Sequence, residues 1–180
     1  AWSVLFDDVE LTAAEVAQGI ATSFNLEELL QTTAKLIVER FGFYHAGIFL
    51  IDPSGTRASL RAAHGPSAQE MLKRGHQLEV GSDSIVGWAS ANFKPRVAAD
   101  VDQDPVYRKN PLLPDTRAEA GFPIALGEAV LGVLDVQSTQ PRVFDEEMVI
   151  VLQTLANQIA TAIQNTTLSN SESMDASEAE

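Results

Sequence analysis

Two apolar runs separated by only two residues constrain the fold of this chain more than any other feature. The runs are Ala118–Leu126 and Ala129–Ser138, and Gly127-Glu128 lies between them. A two-residue connection closes a β-hairpin, and glycine in its first position suits a type II′ turn. The two runs are therefore predicted to be neighbouring antiparallel strands.

A second hairpin is predicted earlier in the chain. Residues 43–52 are rich in aromatic and β-branched side chains, and the turn cluster Pro53-Ser54-Gly55 leads into another run at 58–64. Shorter strands are predicted at 76–80 and 96–99. Because short hairpins rather than crossover helices join the strands, the sheet is expected to be mainly antiparallel.

The first helix signal lies close to the start of the chain. Thr12 and Glu15 have the spacing of a capping box, in which the hydroxyl and the carboxylate satisfy early backbone N–H groups. A short helix is expected to follow, with Val16, Ile20 and Phe24 on one side.

Three further helices are predicted before the second pair of strands. Asn25 is expected to cap an amphipathic helix that ends at Gly42. Ser67 and Glu70 again have capping-box spacing, which predicts a short helix over 67–74. Residues 84–93 fit a helix of two to three turns.

Asp145 is expected to cap a long final helix. Its apolar side chains follow a 4-3-4-3 spacing that suits a helix partner, so this seam is predicted to form a dimer or relay surface. The seam consists of Met148, Leu152, Leu155, Ile159 and Ala162. Residues 167–180 are rich in serine and acidic residues, which is typical of a solvated, disordered tail or a linker.

The order of these elements, with helices at both ends of a mainly antiparallel sheet, predicts an α+β fold. The long stretch 100–117 contains three prolines, which exclude a long regular element but permit a helical turn around 106–109. A loop of this length is usually functional or disordered.

Composition excludes several classes of function. The net charge of −13 argues against a nucleic-acid partner, because phosphate binding needs clustered lysine and arginine. The chain has no apolar run of about 18 residues and no signal-peptide pattern, so we expect a cytoplasmic domain without membrane contact. The absence of cysteine excludes disulfides and thiolate nucleophiles.

Three alternate aspartates, Asp100, Asp102 and Asp104, have the spacing of the first half of a calcium loop. The second half fails, because Pro105 and Pro111 stand where the turn glycine and the bidentate glutamate belong. We therefore expect no metal, and we expect these carboxylates to accept backbone N–H bonds within the loop.

The three histidines, His45, His64 and His76, are the only candidate axial ligands for a haem. Their positions on or beside predicted strands are equally natural for surface histidines, so haem is not expected. The chain also lacks the nucleophile-elbow, phosphate-loop, zinc-protease and dinucleotide motifs. The domain by itself is therefore predicted not to be an enzyme.

Three segments, taken in order, resemble the GAF family. They are Gly-Ser-Asp-Ser-Ile-Val-Gly-Trp-Ala at 81–89, Asp-Val-Asp-Gln-Asp-Pro-Val-Tyr at 100–107, and Gly-Val-Leu-Asp-Val-Gln-Ser at 132–138, followed by Phe144. The resemblance runs from about Leu11 to Asn165. It implies an N-terminal extension at 1–10, a GAF domain at 11–166 and a tail at 167–180.

The resemblance also implies a fold and a pocket. The sheet would have five to six antiparallel strands, with the terminal helices on one face and the short helices and loops on the other. Family members bind small molecules beneath that cover, or use the fold only for dimerisation and signal relay. By analogy, the expected pocket residues are Phe49, Ile85, Val86, Trp88, Asp100, Tyr107, Arg117 and Phe122. The family's linear tetrapyrrole and methionine sulfoxide reductase branches need cysteine, so neither role fits this chain.

The resulting hypothesis is a sensor module of a bacterial signalling protein. It would bind an unidentified small molecule, form a homodimer through Leu152, Leu155, Ile159 and Ala162, and act on an output domain in the same chain. A two-component histidine kinase is the expected output. A ligand-free dimerisation and relay module is the alternative, and a haem-dependent gas or redox sensor is a third.

Overall fold

The computed structural model describes residues 2–22 and 25–178, with the backbone alone described at 2–7 and 168–178. In chain order, the elements are α1 (Trp2–Thr22), α2 (Leu26–Phe41), β1 (His45–Ile51), β2 (Arg57–His64), α3 (Ala68–Lys73), β3 (Gln77–Glu79), α4 (Ile85–Asn92), β4 (Arg96–Ala98), a 3₁₀ turn (Val101–Gln103), β5 (Ala118–Leu126), β6 (Ala129–Ser138) and α5 (Glu146–Glu178).

The strands form one antiparallel sheet in the order β3-β2-β1-β6-β5-β4. The predicted hairpin between β5 and β6 is present, with Leu126 paired to Ala129 across the two-residue turn. Gly127 has a φ of 58°, whereas Glu128 does not have a positive φ. This pattern fits the predicted type II′ turn, because a type I′ turn needs positive φ at both positions.

Alternate residues of each strand pack against different helices. On β5, Ala120, Phe122 and Ile124 belong to a core shared with α1, α2 and α5. Gly121 faces the other way, where it contacts Ile85 of α4. The predicted α+β fold, with the terminal helices on one face and the short helices and the long loop on the other, is therefore confirmed.

The structure bears out the cap predicted at Asn25, and it shows a further cap at Ser84. The side chain of Asn25 accepts a hydrogen bond from the N–H of Glu28 at 2.8 Å, and α2 ends at Gly42 with φ 77°. Ser84 Oγ accepts from the N–H of Gly87 at 2.9 Å. Both residues have the extended backbone that directs a side-chain oxygen at the first turn.

The other two capping boxes are wrong. Thr12 lies inside α1, where its hydroxyl donates to the carbonyl of Asp8 at 2.7 Å. The helix continues upstream because residues 2–11 contain neither proline nor glycine, so the expected extension at 1–10 is helical from Trp2. Ser67 has a left-handed φ of 61° and makes no side-chain cap bond. Phe24 lies outside the described residues.

The final helix differs from its prediction in length and in the role of its seam. α5 continues to Glu178, because no proline or glycine follows Pro141, so the expected disordered tail is helical up to that residue. Leu152, Leu155 and Ile159 are buried in the core against the sheet. Because they are buried within the domain, the prediction that they form a dimer seam is wrong. An apolar stripe with this spacing can pack on a sheet as well as on another helix.

Two smaller features complete the fold. The loop has no helical turn at 106–109, where the sequence permits one, and instead has a 3₁₀ turn at Val101–Gln103. No helix in the described part of the chain combines the length and the apolar character needed to cross a membrane.

Candidate functional site

A cavity of about 360 Å³ lies on the sheet face that carries α3, α4 and the long loop. Its volume falls within the range of small-molecule sites. The floor contains Glu119, Asp135 and Gln137. The apolar walls include Phe49, Met71, Leu78, Ile85, Val86 and Leu112. Arg74, His76, Arg108, Lys109 and Asn110 supply polar groups around them.

The pairing of β5 with β6 brings the floor residues together. Glu119 pairs directly with Gln137, and Gly121 pairs with Asp135. Because side chains on a strand alternate between faces, Glu119, Asp135 and Gln137 share the cavity face. Gly121 has no side chain, and a Cβ there would lie 3.1 Å from Ile85 Cγ2. This glycine therefore lets α4 approach the floor closely.

A hydrogen-bond network joins the floor residues. Gln137 Nε2 donates to Asp135 Oδ2 at 2.8 Å and makes a longer contact of 3.5 Å with Glu119 Oε1. Thr116 Oγ1 donates to Gln137 Oε1 at 2.7 Å. Among the described residues, no N–H or hydroxyl group donates to Asp135 Oδ1, although Asp135 is only 2% exposed.

The two carboxyl groups of the floor influence each other strongly. Burial raises the pKa of Glu119 well above its ordinary value, and the neighbouring Asp135 carboxylate raises it further. The cause is that two buried like charges repel and lose their hydration. The hydrogen bond between the Glu119 and Asp135 side chains adds to the shift, so Glu119 keeps its proton to a higher pH than an exposed glutamate does.

The histidines lie in three different environments. Burial lowers the pKa of His45 to about 4, with Asp135 opposing the shift, so its imidazole is neutral at pH 7. Its Nδ1 atom is buried without a hydrogen-bond partner among the described residues. Burial also lowers the pKa of His76, whose ring lies edge-on to Phe49 at 5.8 Å. His64 lies 3.8 Å from Glu39 on the opposite side of the sheet.

The segment that resembled the family at 81–89 sets the position of α4. Gly81 adopts a left-handed φ of 81°, and Ser84 caps the helix. A Cβ at Gly87 would collide with Ser82 and with the carbonyl of Glu79, so the close approach of these two segments requires glycine. The packing places Ile85 and Val86 in the cavity wall.

Two of the three aspartates of the long loop accept backbone N–H bonds, as expected. Asp100 accepts from the N–H of Asp102 at 3.1 Å, and Asp104 accepts from that of Val106 at 2.9 Å. Arg96 also donates to Asp104 at 2.7 Å. No group of three or more histidine or acidic side chains in the described residues has the arrangement of a metal site.

The residues expected in the pocket lie in different places. Phe49, Ile85 and Val86 line the cavity. Tyr107 packs beside Ile85, and burial raises its pKa to about 12, with Glu119 and Asp135 adding to the shift. Phe122 is corrected, because it points to the opposite face and is buried among the terminal helices.

The other three lie away from the cavity lining. Asp100 and Arg117 approach each other at 3.7 Å, and Arg117 is half-exposed. Trp88 lies under the guanidinium of Arg96, which is 5.8 Å from its ring centre. These side chains stabilise the loop and α4 rather than forming the cavity wall.

Sequence reasoning missed the polar floor. Its signal is the occurrence of Glu119, Asp135 and Gln137 inside strands that are otherwise apolar. A carboxyl group at a strand position that faces a core needs a specific partner, so such a position marks a candidate site. Arg108 and Lys109, two adjacent basic residues of the long loop, also line the cavity.

Comparison with known proteins relates this architecture to one family. A family model described as "GAF domain" matches residues 25–164. A comparison with functionally curated proteins gave no match. Among solved structures, the GAF domain of a phosphoenolpyruvate-protein phosphotransferase from Coxiella burnetii is similar, with a TM-score of 0.81 and 23% identity over 91% of this chain and 97% of that one.

Two other similar structures come from different kinds of protein. The free methionine-R-sulfoxide reductase of Neisseria meningitidis, in complex with its substrate, has a TM-score of 0.79 and 23% identity over 89% of this chain and 91% of that one. Residues 122 to 287 of a methyl-accepting chemotaxis protein have a TM-score of 0.71 and 20% identity over 85% and 97% of the two chains.

Proposed function

Because this chain belongs to the GAF domain family, we propose that it is a sensory module that binds a small molecule above Asp135 and relays its presence to α5. The family is a signalling module found in diverse proteins. The small-molecule site and the direction of relay are what the proposal adds.

The observation that carries the proposal is the buried oxygen Asp135 Oδ1. It lies in the lining of the cavity and receives no hydrogen bond from a described N–H or hydroxyl group. Leaving a buried polar atom unpaired costs about 1–3 kcal/mol, and more for a charged one. Protonated Glu119 can bond to the Asp135 side chain, but a carboxylate accepts several hydrogen bonds, so a ligand that donates to Oδ1 would stabilise this buried group further.

Strand β5 provides the route from the cavity to α5. Its residue Glu119 lies on the cavity floor, while Phe122 and Ile124 pack in the core that contains α5. In addition, Gln153 of α5 donates to the carbonyl of Pro123 at 3.0 Å. A displacement of the floor is therefore passed through one strand to the helix that leads out of the domain.

The proposal includes an output domain in the same protein, with a sensor histidine kinase as the expected class, and a cytoplasmic location. We propose that the domain itself is not catalytic. One similar structure is a free methionine-R-sulfoxide reductase. That branch of the family needs cysteine for its reaction, and this chain has none.

We also propose a homodimer through the surface of the terminal helices, now with a different set of residues. Apart from Ile20, the groove between α1 and α5 is lined by small and polar side chains: Ala14, Ala17, Gln18, Ala21, Thr154, Asn157, Gln158, Thr161, Ala162 and Asn165. Ala162 is the one member of the original seam in this groove.

Native mass spectrometry tests ligand binding directly. The purified protein, exposed to a bacterial metabolite extract and desalted, is expected to carry a discrete small mass that denaturation releases. Leu112→Trp places an indole in the cavity from a half-buried loop position and should abolish the added mass. Leu126→Trp makes the same change at a half-buried position outside the cavity lining, and should retain it.

Two outcomes would contradict the proposal. Wild-type protein that carries no added mass with any extract would favour the ligand-free relay module. An added mass retained equally by both tryptophan variants would place binding outside this cavity.

A further inference from the structure

We propose that the ligand is a free amino acid with an apolar side chain, whose ammonium group binds Asp135 and whose carboxylate binds Arg108 and Lys109. This inference rests on the proposed function and names the substrate class of the same site. Three parts of the cavity, each with a different chemistry, support it.

The floor selects a cationic hydrogen-bond donor. Asp135 Oδ1 is an unpaired carboxylate oxygen in the lining, and the neighbouring Glu119 is a second acid. An ammonium group has three N–H donors and no acceptor, so it can bond to this oxygen and balance its charge. An anion would meet repulsion at the same place, and an apolar group would leave the oxygen unpaired.

The loop side of the cavity presents the opposite charge. Arg108 and Lys109 both line the cavity, and neither forms an ion pair with another described residue. Arg74, by contrast, is paired with Glu70 at 2.6 Å. The protein has a net charge of −13, so two adjacent unpaired cations beside a cavity are notable. Arginine and lysine in this setting favour a carboxylate.

Most of the other side chains in the lining are apolar. Phe49, Met71, Leu78, Ile85 and Val86 all contribute. A cavity of about 360 Å³ is at the small end of the range for ligand sites. A molecule with one positive group, one negative group and a short apolar side chain satisfies the floor, the loop and the walls together.

Calorimetric titration of matched probes tests the inference. Four amino acids serve as probes: L-valine, L-leucine, L-methionine and L-phenylalanine. Each is compared with the amine that lacks its carboxylate and with the acid that lacks its amino group. At least one amino acid is expected to bind about tenfold or more tightly than either of its analogues, because each analogue loses one charge-assisted contact.

Variants assign each contact to its residues. Arg108→Gln with Lys109→Gln should weaken binding of that amino acid by about 10- to 100-fold and leave the amine unchanged. Asp135→Asn should weaken both the amino acid and the amine. The control pair Lys35→Gln with Arg61→Gln removes the same charge from exposed positions outside the cavity lining, and should bind as the wild type does.

The results that overturn the inference are distinct from those that overturn the proposed function. If native mass spectrometry finds a cavity-dependent ligand but none of the four amino acids binds, the sensory site stands and the ligand class is wrong. Amino-acid binding that the Arg108 and Lys109 variant leaves unchanged also contradicts the inference. The exposed positions of these two residues keep this variant informative even if Asp135→Asn fails to fold.

Discussion

Replacing Glu119 with glutamine should remove the contribution of this side chain to the pH dependence of the protein's stability. The buried acid holds its proton in the folded protein, because burial and Asp135 raise its pKa well above the ordinary value of 4.5. In the unfolded chain the same group loses its proton as the pH rises through 4.5. The folded state then binds more protons than the unfolded state, so stability falls with rising pH until the pKa of the folded state is passed.

The size of the effect follows from proton linkage. One proton held only by the folded state lowers the free energy of unfolding by about 1.4 kcal/mol for each pH unit. Between pH 5 and pH 7, wild-type protein should therefore lose up to about 2.7 kcal/mol relative to Glu119→Gln. Glutamine keeps the shape of the side chain and can still donate to Asp135, but it carries no titratable proton.

Urea unfolding at pH 5, 6 and 7 measures this difference. Wild-type stability alone is a poor readout, because His45 acts in the opposite direction: its lowered pKa of about 4 reduces stability as the pH falls below 6.5. Subtracting the two unfolding free energies at each pH isolates Glu119. Glu128→Gln, at the exposed hairpin turn, controls for the loss of one carboxyl group. A constant difference between wild type and Glu119→Gln across this range would show that Glu119 is ionised in the folded protein.

Three further predictions test the packing and the electrostatics. Leu155→Ala should lower the free energy of unfolding by about 2–5 kcal/mol, because Leu155 is buried in the core. Ile150→Ala, at an exposed position of the same helix, should change it by less than about 0.5 kcal/mol. Similar urea midpoints for the two variants would contradict the burial of Leu155. Gly132→Ala should lower the free energy of unfolding by more than about 2 kcal/mol in the same assay, because the added Cβ would collide with the carbonyl of Phe49. A urea midpoint equal to that of the wild type would refute this close contact. The imidazole of His45 should titrate near pH 4 by NMR, and a midpoint near 6.5 would show that it is hydrated.

Local signals were sufficient wherever one short segment determines its own structure. The turn at Gly127 and the cap at Asn25 depend on residues adjacent in sequence, and both were predictable. The capping pattern at Thr12 misled, because it does not report whether the residues before it continue the helix. Likewise, the spacing of Leu152 and Leu155 predicts an apolar stripe on the helix but does not indicate whether the stripe packs on the sheet or on another chain.

The site depends on contacts between distant segments, which is why less of it was predictable. Phe49, Ile85 and Val86 were expected and do line the cavity. Glu119 and Asp135 become neighbours only through the register of β5 and β6, and shifting that register by one residue would turn one of them to the opposite face. Phe122 was misplaced for a different reason: the alternation of side chains along β5 directs it to the terminal helices.

The most direct test of the account is a crystal structure of the protein grown with the metabolite extract used for mass spectrometry. The account predicts electron density for a bound molecule in the cavity, with a donor atom about 2.6–3.2 Å from Asp135 Oδ1. Density for ordered water alone at this oxygen, or side chains that close the cavity around it, would contradict the claim that this domain senses a small molecule there.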